Sequence, residues 1–254
     1  MADKPESPYA LEQFKIDVLV PLNAFGYDIS ITTYTQAMVT TVLLLSAWMY
    51  FAAREQALVP GRLQASAELV YEFVADIVVK NAGEAARPAI PFVFTVFVFV
   101  VFSTLLGLTP LKVTITSHII ITLGLAMIIF AYVNVLAWRL HGRKALSFFV
   151  PADVPGYILP LVVFCELISY LMRPITLALR LFANIFAGHV MLKLFADFCV
   201  MLIAAFGAVG LAPAIGLTFV MTILYAFEVM IVIVQGYIFV LLTTMYLRDA
   251  IHLH

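Results

Sequence analysis

Charge is what this chain has least of. Only 11% of its 254 residues are Asp, Glu, Lys or Arg, while 64% are hydrophobic and mean hydropathy is +1.08. Soluble domains average about 25% charged residues, so a water-facing globular surface is excluded. Acidic and basic residues nearly cancel, at net charge -1, and no basic face is left to attract nucleic acid. Cysteine is scarce too. Cys165 and Cys199 both stand inside apolar segments, where a thiol behaves as a small hydrophobe, and neither a disulfide framework nor a metal site is suggested. No Gly-rich phosphate loop is present to suggest a nucleotide, and no metal or organic cofactor is expected. There is no internal repeat, no low-complexity stretch and no series of alternating ten-residue strands of the outer-membrane barrel kind. The stretch from Met1 to Ile16 is polar and lacks a signal-peptide core, so insertion is expected to use internal spans.

What the chain does have is apolar runs of about 17–25 residues, long enough to cross a bilayer as helix. The expectation is an all-α polytopic membrane protein, one domain over 1–254, with about five membrane helices and one amphipathic helix. A polar N-terminal segment, 1–33, precedes a first span from Tyr34 to Ala53, closed by Arg54 and Glu55. The next segment, 62–87, differs in character. Leu63, Val70, Phe73, Val74, Ile77 and Val78 recur at helical spacing, while Glu68, Glu72, Asp76 and Lys80 form a polar stripe four residues apart. Such a helix is expected along a surface or against another subunit rather than across lipid; a short amphipathic connector is the plainer reading.

Pro88 and Pro91 open a second span, Phe92 to Leu108, and a third runs from Ile119 to Trp138. The most basic loop follows, Arg139-Leu140-His141-Gly142-Arg143-Lys144, and the positive-inside rule assigns it to the cytoplasm. Working backwards, the Lys112 loop is outside, Arg87, Arg62 and Arg54 are inside, and the N-terminus is outside. That parity holds only if 62–87 does not cross.

From Tyr157 to Phe206, and again from Ala214 to Leu247, the pattern stays apolar. As helices these stretches would measure roughly 75 and 50 Å, against a hydrocarbon core of ~30 Å. Gly207, Gly210 and Pro213 mark a turn between them. Pro174 could divide the first stretch into two spans, or the stretch could be one long inclined helix; the sequence leaves both open.

The chemistry-bearing residues fall in this last part. An arginine at the centre of a membrane helix is unfavourable by about 2.5–3.5 kcal/mol on insertion scales, and the strong basicity of the guanidinium denies it escape by deprotonation. Arg180 is such a residue, with no acid nearby in sequence. Glu166, Arg173 and Arg180 are seven apart and lie near one helical stripe, which Asn184 and Ala187 continue. Small residues at Ala183, Ala187 and Gly188 let another helix approach closely. His189 falls on the opposite side from Arg180 at 100° per residue. On the final helix Glu228 and Gln235 share a face, and an antiparallel hairpin would bring one or the other to this group. Glutamate and histidine can both change protonation near neutral pH when buried. Arginine cannot; it can repel cations and favour the ionised form of a carboxyl group beside it.

Structural readings stand beside these. Arg173 precedes Pro174 and could snorkel at a helix end. Lys193 and Asp197 are spaced as an i,i+4 ion pair. Tyr170, Tyr225, Tyr237 and Tyr246 fit packing or interface roles, and His118, His141, His252 and His254 fit solvated loops or ends. Arg180 itself could be paired within the chain.

The run Arg173-Pro174-Ile175-Thr176-Leu177-Ala178-Leu179-Arg180-Leu181-Phe182-Ala183-Asn184-Ile185-Phe186-Ala187-Gly188-His189 resembles the signature of subunit a of the F-type ATP synthase. Glu228-Val229-Met230-Ile231-Val232-Ile233-Val234-Gln235-Gly236-Tyr237-Ile238-Phe239 is similar to the family's second segment, and Leu106-Gly107-Leu108-Thr109-Pro110 also fits. The resemblance implies a non-nucleotide-binding stator subunit beside a rotating ring of c subunits, held also by the b subunits of the peripheral stalk and by membrane lipid. Two offset half-channels would carry protons to and from the ring carboxylates. Arg180 matches the arginine that faces each carboxylate and prevents a proton short-circuit. Asn184, His189, Glu228 and Gln235 match the inlet path, and Glu166 matches an acidic position near the cytoplasmic outlet. The family geometry implies that 157–247 is a tilted functional hairpin with a cytoplasmic C-terminus. Many bacterial members carry an acid where His189 stands and a histidine at Glu228; the exchange resembles mitochondrial and related bacterial forms. A bacterial inner membrane is expected, with the mitochondrial inner membrane as the alternative. Two other classes compete: a proton-coupled secondary transporter, which would need two related halves, and a structural subunit whose charges only pair internally.

Overall fold

The computed structural model describes residues 18–21, 23–24, 27–28, 30–54, 60–109, 118–142 and 157–251. Most of the polar N-terminal segment, Glu55, Pro110, Lys112, Arg143, Lys144, His252 and His254 lie outside the described residues. Within 18–32 the chain forms two small antiparallel pairs. In one, β1 (Val18–Val20) pairs β4 (Ile31–Thr32); in the other, β2 (Asn23–Ala24) pairs β3 (Tyr27–Asp28). The sequence pattern gave no hint of them, because two- and three-residue strands are too short to show a period of two.

Everything else regular is helical, and the all-α polytopic expectation holds. The order is α1 (Thr33–Arg54), α2 (Arg62–Ala82), a 3-10 segment (Glu84–Ala89), α3 (Ile90–Leu108), α4 (Ile119–His141), α5 (Leu159–Phe206), a 3-10 turn (Gly207–Gly210) and α6 (Leu211–Ile251). Five of these segments are long and apolar enough to cross a membrane: α1, the 3-10 segment with α3, α4, α5 and α6.

The amphipathic segment is helical, and its apolar face is used inside the chain. Val74, Ile77, Val78 and Ala82 are buried against α3 and α6, with Phe94, Phe97, Val240 and Leu247 in the same core. Glu68, Glu72 and Asp76 stay exposed, and Lys80 Nζ donates to Asp76 Oδ2 at 2.6 Å. Both partners of that pair are more than half exposed, so it adds little stability. The helix ends at Gly83, whose φ of 80° suits glycine and whose N–H caps the Val79 carbonyl.

A second core joins α3, α4, α5 and α6 through Val96, Val100, Ala126, Ile129, Val133, Leu177, Ala178, Leu181, Ile185 and Phe239. Lipid tails are as apolar as these side chains, so close packing rather than escape from water holds the helices together. Gly236 shows how tight that packing is. A Cβ there would stand 2.7 Å from Val101 Cγ2 and 3.0 Å from Phe97 Cε2.

Pro174 does not divide α5. The helix runs unbroken through 48 residues, with Pro174 buried inside it. Proline removes one intrahelical N–H donor, and the Thr176 hydroxyl bonds the nearby carbonyls of Met172 and Arg173 at 2.9 and 3.0 Å. At ~1.5 Å per residue the helix is roughly 72 Å long, so it stays within a ~30 Å hydrocarbon layer only at a steep tilt. Gly207, at φ 54°, turns the chain back, and α6 returns antiparallel beside α5. Pro213 sits in the first turn of α6, where its missing N–H has no intrahelical partner to lose.

Candidate functional site

The hairpin register brings the sequence candidates together in pairs. Asn184 Nδ2 donates to Gln235 Oε1 at 2.8 Å. Between one and two turns toward the hairpin tip, His189 Nε2 lies 3.9 Å from Glu228 Oε1. Glu228 and Gln235 are buried, at 6% and 3% exposure. Glycine at 188 makes the approach possible, since a Cβ there would stand 2.6 Å from Glu228 Oε1. A small cavity opens between these pairs, lined by Val100, Thr104, Asn184, Glu228 and Gln235 among others. Glu228 Oε2 and Gln235 Nε2 are buried beside it with no hydrogen-bond partner among the described residues. Leaving a buried polar group unsatisfied is unfavourable by roughly 1–3 kcal/mol, and a polar cavity is where water commonly meets that need.

Arg180 lies on the exposed side of α5, on a stripe that Asn184 shares and His189 does not. Leu177, Ala178, Leu181 and Ile185 turn inward to the core, while Arg180, Ala183, Asn184 and Ala187 are exposed at i, i+3, i+4 and i+7. Among the described residues the ion pairs are Lys80–Asp76, Arg87–Glu84, Arg173–Asp249 and His189–Glu228. Arg180 takes part in none of them. The Lys193–Asp197 pair suggested by spacing is also not among them.

Arg173 does not snorkel at a helix end, because α5 has no end there. Its Nη1 donates to Asp249 Oδ2 at 2.8 Å. The guanidinium also lies 5.4 Å from the Tyr170 ring centroid and 5.2 Å from that of Tyr246, within cation–π range. Tyr170 in turn donates to Asn134 Oδ1 on α4 at 2.5 Å. Tyr225 donates to the Leu108 carbonyl at 3.1 Å, and Tyr237 meets the Phe73 ring of α2, so both have packing contacts. Glu166 is partly exposed on α5, two turns before Arg173.

Sequence reasoning missed Asp249 and undervalued Tyr246. A signal for both existed. Once Asn184 is set opposite Gln235, antiparallel register puts Arg173 opposite Tyr246, one turn from Asp249.

Fold and site together define a class: a polytopic α-helical membrane protein whose two longest helices enclose buried, titratable polar groups and present one separate arginine. The family model for the ATP synthase A chain matches residues 35–248. The chain is 44% identical to ATP synthase subunit a of Parvibaculum lavamentivorans over 95% of its own length and 93% of the relative's. It is 45% identical to that of Mesorhizobium japonicum, covering 95% and 96%, and 43% identical to that of Acidiphilium cryptum, covering 96% and 97%. The chain belongs to the ATP synthase subunit a family. It is thus an integral, multi-pass subunit of the membrane sector, within the ATP synthase complex.

Proposed function

We propose that this subunit translocates protons through two offset half-channels to the carboxylates of a c-subunit ring, with Arg180 as the barrier between them. The observation that carries this reading is an exposed arginine beside a buried seam of polar groups that the same helix helps to form. Arg180 stands exposed on α5 without an acid partner among the described residues, while Asn184, His189, Glu228 and Gln235 gather along the α5–α6 seam. The seam residues can hand protons along a hydrated path, since imidazole and carboxylate both gain and lose protons. The guanidinium keeps its charge, so it holds a nearby ring carboxylate ionised and repels a proton travelling straight through.

In this scheme a proton enters past His189, Glu228, Asn184 and Gln235, neutralises a ring carboxylate and rides with the ring. It leaves by an outlet path near Glu166 when the carboxylate reaches Arg180. Each 100 mV of membrane potential supplies ~2.3 kcal/mol per charge, and the arginine makes that drive one-directional along the ring. The hairpin over 157–247 is the functional unit, and the b subunits of a peripheral stalk hold it against rotation. The chain would sit in a bacterial inner membrane, N-terminus periplasmic and C-terminus cytoplasmic; the bacterial relatives favour this over a mitochondrial setting.

The test is Arg180→Ala in the assembled ATP synthase, read as ATP-driven acidification of inverted membrane vesicles. The expected result is a normal amount of complex with coupled pumping abolished. Wild-type pumping in that variant would sink the reading.

A further inference from the structure

Two arginines stand seven residues apart on α5, about 10 Å along the helix axis, and the fold treats them oppositely. Arg180 is exposed with no acid partner among the described residues. Arg173 is 19% exposed and neutralised by Asp249 at 2.8 Å. Its planar cation lies near the rings of Tyr170 and Tyr246, and Tyr170 is anchored in turn to Asn134. Asn134 is itself fixed, its Nδ2 donating to the Phe130 carbonyl at 2.7 Å. One guanidinium thereby ties α4, α5 and α6 together two turns from Arg180.

We propose that Arg173 and Asp249 form a charge-compensated clasp that positions Arg180 and keeps it the only arginine on this stretch of α5 open to a ring carboxylate. This rests on the reading of Arg180 as the ring-facing cation. A lone Arg173 would give the passing carboxylate a second cationic stop about 10 Å from the first. Asp249 cancels that charge, and the tyrosines fix where the cancelled pair sits. The pair acts through Arg180 and is a positioning element, not a proton carrier. The titratable groups in described contact with it are Tyr170 on α5 and Tyr246 on α6, with Arg180 two turns along α5 and Arg248 next to Asp249 in sequence; α4 contributes the neutral Asn134.

The distinguishing feature of compensation is that removing one charge harms more than removing both. In assembled ATP synthase, Asp249→Asn changes charge at nearly constant volume. It is expected to lower ATP-driven pumping in inverted vesicles several-fold. It should also move the acid limb of the pumping pH profile down by roughly half a unit, because an added cation favours the ionised carboxylate. The double variant Arg173→Gln/Asp249→Asn should return the profile to the wild-type position, whatever packing is lost. A merely structural pair predicts lowered assembly in both variants and no change in the profile, and that result overturns the proposal. If Asp249→Asn does not assemble, the double variant decides: an assembled complex with an unshifted profile upholds compensation, and failure to assemble overturns it. Arg180→Ala, run alongside, separates the two ideas, since pumping by that variant removes the function reading itself.

Discussion

His189 Nε2 stands 3.9 Å from Glu228 Oε1, and the residue that allows it is Gly188. No side chain fits at 188 while Glu228 keeps its place, because a Cβ would lie 2.6 Å from Oε1 and 3.0 Å from Cδ. The glycine therefore sets how closely α6 can bring its one buried carboxylate to the imidazole of α5.

Gly188→Ala tests that geometry. The atom in the way is the end of a flexible side chain, so the fold should survive at about 1–3 kcal/mol of overpacking cost. Glu228 should swing away from His189, and ATP-driven pumping in inverted vesicles should fall several-fold with the complex assembled. Unchanged pumping would detach proton transfer from the His189–Glu228 approach.

The Asn184–Gln235 hydrogen bond separates stability from conduction. Asn184→Ala leaves the buried Gln235 Oε1 without its donor, an expected loss of about 1–3 kcal/mol. Gln235→Leu removes a buried amide whose Nε2 has no partner among the described residues, and the Asn184 donor it leaves behind is exposed, so thermal stability should fall by less than in Asn184→Ala. Pumping should drop in both. A Gln235→Leu complex that pumps normally would remove Gln235 from the proposed path.

Packing of α3 on α6 can be tested apart from any proton chemistry. Gly236→Ala drives a methyl into Val101 and Phe97, and the midpoint of thermal unfolding in detergent should fall, by the equivalent of about 1–3 kcal/mol. Gly124, with open space around its would-be Cβ, is the control: Gly124→Ala should leave the midpoint in place or raise it slightly.

His118 gives a pH dependence outside the spans. It precedes α4, its ring meets Tyr34 edge-on with centroids 4.1 Å apart, and burial pulls its pKa below the usual 6.5. The unfolded chain therefore takes up this proton at a higher pH than the folded one. Stability from the neutral ring is present above pH 6.5 and is lost as pH falls from 6.5 through the lower folded value. Thermal unfolding measured from pH 7.5 down to about 5 should show this slope, and His118→Gln should flatten it. An equal slope in the variant assigns the dependence to other groups.

Helix order was legible in the sequence because each span carries its own apolar run and its own stops. Tyr34 to Ala53 became Thr33–Arg54, and Ile119 to Trp138 became Ile119–His141. Arg62 to Arg87 became a helix to Ala82 and a 3-10 segment around Pro88, where proline supplies no N–H. Three features were not legible. Local rules at Pro174 leave a break and a continuous helix both open, and α5 runs unbroken through it. The apolar face of α2 reads the same whether it meets lipid, a partner or α6. Arg173 and Asp249 are 76 residues apart, beyond any local pattern.

The sequence by itself determined the solvent this protein lives in, the order of its apolar runs and the identity of its rare ionisable groups. Composition and helical period are local properties, and each residue carries its share without reference to the rest. Only the tertiary structure decided which arginine is neutralised and which is presented. Arg173 and Arg180 are the same residue type on the same helix, two turns apart. What distinguishes them is the register of α6, which puts Asp249 against the first and no acid among the described residues against the second.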